Sequence, residues 1–230
     1  MWLLGFELID KSVGILGLGR IGFGIAQRLK AFKVSNIYYT DVNEVPYANE
    51  VNAIYVNFDE ILRKSDIICI ACNLTDQTRG IFNKDAFAKM KKTAVLINVS
   101  RGGVVNHDDL YKALKDKKIG MAALDVTVPE PLPKDHPLLT LDNCLITPHV
   151  ASSTWEARNA MSLLTAQNML TILGGNDPPK TLAVSFFFLI HTRTQTQIYL
   201  SIYLSIYLSI YLSIYLYTHI HIHTHTHIHI

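Results

Sequence analysis

The sequence predicts an α/β fold, a doubly wound parallel sheet, and three observations lead to this prediction. From residue 12 to about residue 148, short β-branched runs alternate with helical patterns, as in a parallel sheet with helices packed along it. Several of these runs are almost continuously apolar, as expected for strands that are buried on both faces. A glycine-rich turn follows the first run and opens the first helical pattern.

Hydrophobic periodicity gives the order of the elements along the chain. Strands are predicted at residues 13–18, 37–40, 53–56, 66–72, 94–99, 120–124 and 144–147. Helices are predicted between them at residues 21–32, 58–63, 84–90 and 108–115. Asn106 is a suitable N-cap for the last of these helices, whose apolar face holds Leu110, Ala113 and Leu114. A long fifth helix is expected from Ser153 to about Leu173, before a pair of glycines.

Composition and charge favour a globular protein with a small-molecule partner. The 230 residues are 49% hydrophobic, which is ample for a packed core. The 21 basic and 19 acidic residues are spread without blocks, so neither nucleic acid nor a membrane surface is expected to bind. Three cysteines and the lack of a recognisable targeting peptide favour a cytoplasmic location. Cys69 and Cys72 are expected on opposite faces of the strand at 66–72, so no metal or redox pair is predicted.

The segment from residue 184 to residue 230 differs from the rest in composition. Ile-Tyr-Leu-Ser repeats in it and is followed by histidines that alternate with Ile or Thr. A tetranucleotide repeat and a dinucleotide repeat in DNA would encode these patterns, so our hypothesis is a low-complexity tail, disordered or produced by translated repeat DNA. Residues 198–217 carry no charge, but they are rich in Tyr and Ser and lack basic flanks, so membrane insertion is not expected. No native metal site is predicted in the histidine run.

The glycine-rich turn has the spacing of a dinucleotide fingerprint. Gly17, Gly19 and Gly22 follow the first strand and open a helix, the context in which a Rossmann fold binds a pyrophosphate at the helix N-terminus. Asp41 follows the second strand, where a carboxylate binds the adenosine ribose of NAD and repels a 2′-phosphate. A glycine-rich turn followed by an incidental surface aspartate is the alternative interpretation.

Four polar residues follow the last three predicted strands. Arg101 comes after the strand at 94–99, Asp125 and Glu130 after the next, and His149 after the last. Each one alone would be compatible with an exposed surface residue. Because carboxyl ends of parallel strands meet at one edge of the sheet, these side chains are expected to converge. An arginine there can bind a carboxylate, and a histidine held protonated by a carboxylate can act as general acid toward a carbonyl oxygen.

Four segments together resemble the D-isomer-specific 2-hydroxyacid dehydrogenases, and the resemblance extends over residues 1–183. They are Val-Gly-Ile-Leu-Gly-Leu-Gly-Arg-Ile-Gly, Asn-Val-Ser-Arg-Gly-Gly-Val-Val-Asn, Ala-Leu-Asp-Val-Thr-Val-Pro-Glu-Pro-Leu-Pro and Thr-Pro-His-Val-Ala-Ser-Ser-Thr. Residues 129–141 and 158–164 look most like the glyoxylate reductase/hydroxypyruvate reductase branch of the family. The resemblance implies reduction of a small 2-oxo acid by a hydride from the nicotinamide.

The resemblance also implies a role for each site residue. Arg101 would bind and polarise the 2-oxo acid, His149 would protonate its keto oxygen, and Glu130 would orient and charge His149. Asp125 would hold the nicotinamide end of the cofactor. The remaining cofactor contacts would come from the pyrophosphate-binding turn and the cleft wall: Gly17, Gly19, Arg20, Ile21, Gly22, Asn73 and Val99.

The chain departs from the family pattern at two positions. Members that prefer NADP tend to carry a small and then a basic residue after the second strand, whereas Asp41 is followed here by Val42 and Asn43. NAD(H) is therefore favoured, with NADP(H) possible. Lys33 stands where the family usually has the glycine that ends the first helix.

The resemblance divides the chain into a dinucleotide-binding domain at 1–152, a C-terminal helix of the substrate domain at 153–183 and the tail at 184–230. Most of the substrate-binding domain precedes the nucleotide fold in the family, so we expect a chain truncated at its front. We also expect a homodimer, because the helix from Ser153 would leave apolar surface uncovered. The alternatives are a non-catalytic NAD(H)-binding regulatory protein of the same fold and an inactive fragment.

Overall fold

A computed structural model of the protein describes residues 7–175. Its single sheet is parallel throughout and runs in the order β3-β2-β1-β4-β5-β6-β7. The strands are β1 (Ser12–Leu16), β2 (Asn36–Thr40), β3 (Ala53–Tyr55), β4 (Ile67–Ile70), β5 (Val95–Asn98), β6 (Met121–Leu124) and β7 (Cys144–Ile146). Strand order reverses between β1 and β4, which is where open parallel sheets leave a crevice for a ligand.

The five predicted helices are present, with ends that differ by one or two residues. They are α1 (Arg20–Ala31), α2 (Phe58–Lys64), α3 (Lys84–Lys89), α4 (His107–Lys115) and α5 (Trp155–Leu173). The prediction of Asn106 as an N-cap is confirmed, because its side chain accepts a hydrogen bond from the backbone N–H of Asp109. Three short 3₁₀ turns were not predicted, at Pro46–Val51, Gly102–Val104 and Pro137–Thr140.

Buried side chains lie on both faces of the sheet, which confirms the doubly wound fold. One face of the sheet packs with α1, and its buried residues are Val13, Ile15, Ala26, Ile37, Tyr39, Ile67 and Cys69. The other face packs with α2, α3 and α4, and its buried residues include Leu16, Ile61, Ile68, Ile70, Phe87, Leu96, Leu110 and Leu124. The alternation of the two sets along β1 and β4 follows from the two-residue period of a strand.

Two strands end two residues earlier than predicted. β1 ends at Leu16 and not at residue 18, because Gly17 turns the chain with φ +91°. β4 ends at Ile70, so the prediction that Cys72 lies in the same strand as Cys69 is wrong. Burial raises the pKa of the Cys69 thiol to about 12 and that of Cys72 to about 11. Both thiols are therefore protonated and weakly reactive at neutral pH.

Lys33 adopts the left-handed conformation that the family glycine would adopt. Its φ is +57°, and its N–H donates to the carbonyl of Lys30 at the end of α1. Lys33 therefore ends α1 in the conformation that glycine adopts most easily at this position of a helix.

The chain divides into two compact units between Ala157 and Arg158. In the second unit the structure describes only the continuation of α5, a helix with no buried residue. Its exposed apolar side chains are Trp155, Met161, Leu163, Leu164, Leu170 and Leu173. No helix within residues 7–175 is long and apolar enough to cross a membrane. The predicted tail at 184–230 lies outside the described residues.

Candidate active site

The turn after β1 has a shape that only glycine permits at two positions. A side chain at Gly17 would need the left-handed conformation, and its Cβ would lie 2.7 Å from the Cα of Cys72. A Cβ at Gly22 would lie 2.0 Å from the carbonyl oxygen of Gly17. Helix α1 therefore packs directly against the turn, as a dinucleotide fingerprint requires.

Gly19 differs from the other two glycines, because no atom lies within 4 Å of the position of its Cβ. It is the N-cap of α1, and no side chain caps the helix at this end. The first turn of α1 contains no acidic residue, and Arg20 and Ile21 are exposed. The open space beside Gly19 and the free helix N-terminus fit the pyrophosphate of a dinucleotide.

Asp41 lies immediately after β2 and faces this turn. Its Oδ2 accepts a hydrogen bond of 2.8 Å from the N–H of Leu18, and its Oδ1 accepts one of 2.8 Å from the N–H of Val42. Each carboxylate oxygen can accept a further hydrogen bond, which fits a ribose hydroxyl group. Residues 42–46 include no basic side chain, so nothing in this loop would neutralise a 2′-phosphate.

A buried amide shapes the segment that carries Arg101. Asn98, at the end of β5, has no solvent exposure; its Oδ1 accepts from the N–H and hydroxyl of Ser100, and its Nδ2 donates to the carbonyl of Arg101. The exposed Arg101 donates from Nη1 to the carbonyl of Ser100, which leaves its other N–H groups free for a ligand. Sequence reasoning missed Asn98, although a polar amide at the end of an apolar strand is a usable signal.

The structure brings Glu130 and His149 together. Nδ1 of His149 lies 2.6 Å from Oε1 of Glu130, and both side chains are partly exposed. The carboxylate therefore fixes the orientation of the ring and leaves Nε2 for a ligand. His149 has a left-handed backbone conformation, φ +56°, and its N–H donates to the carbonyl of Asp125.

Asp125 holds the loop that carries His149. Its buried carboxylate accepts hydrogen bonds from the Thr147 hydroxyl at 2.7 Å and from the N–H groups of Val150 and Ala151 at 2.8 and 2.9 Å. Burial raises the pKa of Asp125, but these hydrogen bonds and the nearby His149 outweigh that effect and lower the pKa below its usual value of 3.8. The carboxylate is ionised at neutral pH and positions the loop. Its predicted contact with the nicotinamide end stays a prediction.

Two adjoining clefts open at this edge of the sheet. The larger, of about 380 Å³, is lined by the carboxyl-end residues of β6 and β7 and by the loop of Glu130, including Asp125, Thr127, Glu130, Thr147 and His149. The smaller, of about 200 Å³, is lined by Val99, Asp125, Thr147 and Val150 among others. Neither lining includes Arg101 or Asn73, which follow the neighbouring strands β5 and β4.

The loop from Asp125 to Glu130 has two further supports. Gly102 packs against it so closely that a Cβ would lie 2.2 Å from the carbonyl carbon of Thr127. Nδ1 of the buried His107 lies 3.1 Å from the carbonyl oxygen of Val128, while its Nε2 has no partner among the described residues. Burial lowers the pKa of His107, so the ring is neutral and Nδ1 is the donor. Sequence reasoning missed this histidine, because nothing in its neighbourhood distinguishes it from an exposed helix residue.

Comparison with known proteins shows the family to which the chain belongs. Residues 1–151 match the profile of the D-isomer specific 2-hydroxyacid dehydrogenase NAD binding domain. The chain is 54% identical over 183 residues to a Homo sapiens protein named glyoxylate reductase/hydroxypyruvate reductase, covering 79% of this chain and 56% of that one. It is 45% identical over 179 residues to the glyoxylate reductase of Thermofilum pendens, covering 77% of this chain and 53% of that one.

Solved structures agree with these matches. A D-isomer specific 2-hydroxyacid dehydrogenase from Lactobacillus delbrueckii, crystallised with NAD, is 30% identical and superposes with a TM-score of 0.71, covering 76% of this chain and 57% of that chain. A glyoxylate reductase from Paecilomyes thermophila is 36% identical with a TM-score of 0.70, covering 75% and 52%. The chain thus spans little more than half the length of each of these four relatives.

Proposed function

Because the chain belongs to the D-isomer-specific 2-hydroxyacid dehydrogenases, we propose that it reduces a small 2-oxo acid, glyoxylate or hydroxypyruvate, to the D-2-hydroxy acid. The observation that carries the proposal is the 2.6 Å contact between Glu130 and His149 at the wall of a cleft. A histidine oriented by a carboxylate is well suited to general acid catalysis.

NAD(H) is the proposed cofactor, and bound NADH would supply the hydride. Gly17, Gly19 and Gly22 give the turn its shape, and the N-terminus of α1 with Arg20 and Ile21 binds the pyrophosphate. Asp41 binds the adenosine ribose, and its negative charge disfavours the 2′-phosphate of NADP(H). Asn73, Val99 and Asp125 stay as predicted contacts of the cofactor cleft.

The loops after β5, β6 and β7 supply the residues that bind the substrate and donate the proton. Arg101 binds the carboxylate of the 2-oxo acid and polarises its carbonyl, using the N–H groups that the protein leaves free. His149 gives the proton on Nε2 to the keto oxygen, while Nδ1 stays bonded to Glu130. Asp125 keeps His149 in place through hydrogen bonds from the N–H groups of His149 and Val150 and from the hydroxyl of Thr147.

The test is NADH-dependent reduction of hydroxypyruvate and glyoxylate by the purified chain, followed by the loss of NADH absorbance. The variant His149→Ala is expected to lower kcat by a factor of about 10² to 10⁴, the usual contribution of a general acid. The matched control His136→Ala removes a histidine from the same region that lines neither cleft. NADH binding by fluorescence is measured for all three proteins.

The outcomes separate the proposed enzyme from its two alternatives. Turnover that is lost in His149→Ala and kept in His136→Ala supports the proposal. Turnover that survives the loss of His149 refutes the assignment of the acid. Tight NADH binding without turnover in the unaltered chain favours the regulatory protein or the inactive fragment. Two further expectations stay predictions. Light scattering would measure the molar mass that a homodimer requires, and cell fractionation would test a cytoplasmic location.

A further inference from the structure

Both backbone polar atoms of Leu18 are bonded to side chains. Its N–H donates to Oδ2 of Asp41 at 2.8 Å, and its carbonyl oxygen accepts from the hydroxyl of Tyr47 at 3.0 Å. Leu18 is fully buried and lies between Gly17 and Gly19, at the centre of the pyrophosphate-binding turn. The turn is thus held from two sides by residues that follow β2.

Tyr47 is itself fixed in place. It lies in the 3₁₀ turn Pro46–Val51, and its ring packs edge-on against Phe23 of α1 with centroids 5.3 Å apart. The loop before it is held by the hydroxyl of Tyr39, which accepts a hydrogen bond of 3.0 Å from the N–H of Val45. The hydroxyl of Tyr47 therefore reaches Leu18 from a rigid support on α1.

The bond to Leu18 controls the direction of the next N–H group. In a planar trans peptide the carbonyl of Leu18 and the N–H of Gly19 point in opposite directions. Glycine tolerates both orientations of such a peptide, and a Cβ at Gly19 would meet no atom within 4 Å, so this side of the turn is open. Without Tyr47, the carbonyl oxygen of Leu18 is free to turn toward the space where the phosphates bind, and its partial negative charge repels them.

We propose that Tyr47 is a positioning residue for the cofactor, whose hydroxyl keeps the Leu18–Gly19 peptide oriented for pyrophosphate binding. The inference rests on the proposed NAD(H) site and adds to it a residue that does not belong to the glycine fingerprint. Asp41 then has two functions, because one of its oxygens holds the same turn from the other side.

The test compares Tyr47→Phe with Tyr55→Phe in the full chain. The first variant loses the hydroxyl that donates to the carbonyl of Leu18 and keeps the ring that packs against Phe23. The second removes a hydroxyl that donates to the carbonyl of Asp41 at 3.3 Å and does not touch the turn. Dissociation constants for NADH come from fluorescence, and those for ADP and adenosine come from competition against NADH.

Tyr47→Phe is expected to raise the dissociation constants of NADH and ADP by about five- to tenfold, the effect of one hydrogen bond. The dissociation constant of adenosine is expected to stay within about twofold. Tyr55→Phe is expected to leave all three within twofold. Equal NADH affinity in Tyr47→Phe and the unaltered chain overturns the inference, as does an equal loss for ADP and adenosine, which would mean general loosening. If the unaltered chain binds no NADH, the proposed cofactor site itself is refuted together with the inference.

Discussion

Replacing Asp125 by Asn tests whether this carboxylate holds the loop that carries His149. The side chain stays the same size, but Nδ2 cannot accept the hydrogen bond that Oδ2 now accepts from the N–H of Ala151. That N–H loses its partner, which costs about 1–3 kcal/mol, and the bonds from Thr147 and Val150 lose the charge that strengthens them. We expect the free energy of unfolding to fall by about 3 kcal/mol.

Urea denaturation at pH 7 measures this loss, with the exposed Asp142→Asn as the matched control. The pH dependence gives a second measurement. Since the pKa of Asp125 is lowered in the folded protein, its contribution is present above about pH 4, the unfolded pKa, and is lost as the pH falls through the folded pKa. The Asp125→Asn variant is therefore expected to lose less stability than the unaltered protein as the pH falls below about 4. A decrease under about 1 kcal/mol at pH 7, or one no larger than that of the control, would refute the reasoning.

Two further predictions concern residues outside the site. Lys33→Gly is expected to raise the free energy of unfolding by about 0.5–1 kcal/mol, because glycine adopts φ +57° without the steric penalty of a side chain. Thermal unfolding measures this change, and a lower melting temperature would contradict the prediction. His107→Asn keeps a donor for the carbonyl of Val128 but cannot be protonated. Since burial lowers the pKa of His107, the unaltered protein loses stability as the pH falls below about 6.5, and the variant is expected to lose less between pH 7 and pH 5. Urea denaturation of both proteins over this range gives the free energy of unfolding against pH, and equal slopes would disprove the prediction.

The sheet and the helices were predictable because their signals are local. The apolar runs of β1 and β4 and the periodicity of α4 come from burial, which the sequence records residue by residue. The edge of the sheet where Glu130 and His149 meet followed from one rule, that parallel strands end together. Their contact at 2.6 Å agrees with that expectation.

What the sequence did not reveal depends on contacts between distant residues. Asn98 and His107 bind the backbones of Arg101 and Val128. The amide at the end of an apolar strand marks Asn98 as unusual but does not identify its partner, and the sequence near His107 gives no signal at all. The end of β4 at Ile70 was missed because the run stays apolar to Cys72, which packs under the Gly17 turn rather than in the strand. Tyr47 was missed because its partner, a carbonyl oxygen, carries no signal in the sequence.

The left-handed backbone of His149 sets protein stability against chemistry. At φ +56° a side chain costs about 1 kcal/mol relative to glycine, although histidine, like asparagine, tolerates this conformation better than most residues. A library selected only for heat resistance would therefore accumulate Gly at position 149. The survivors of such a selection would be the proteins that have lost the proposed proton donor, so screens for robust variants of this chain need to score turnover in the same round.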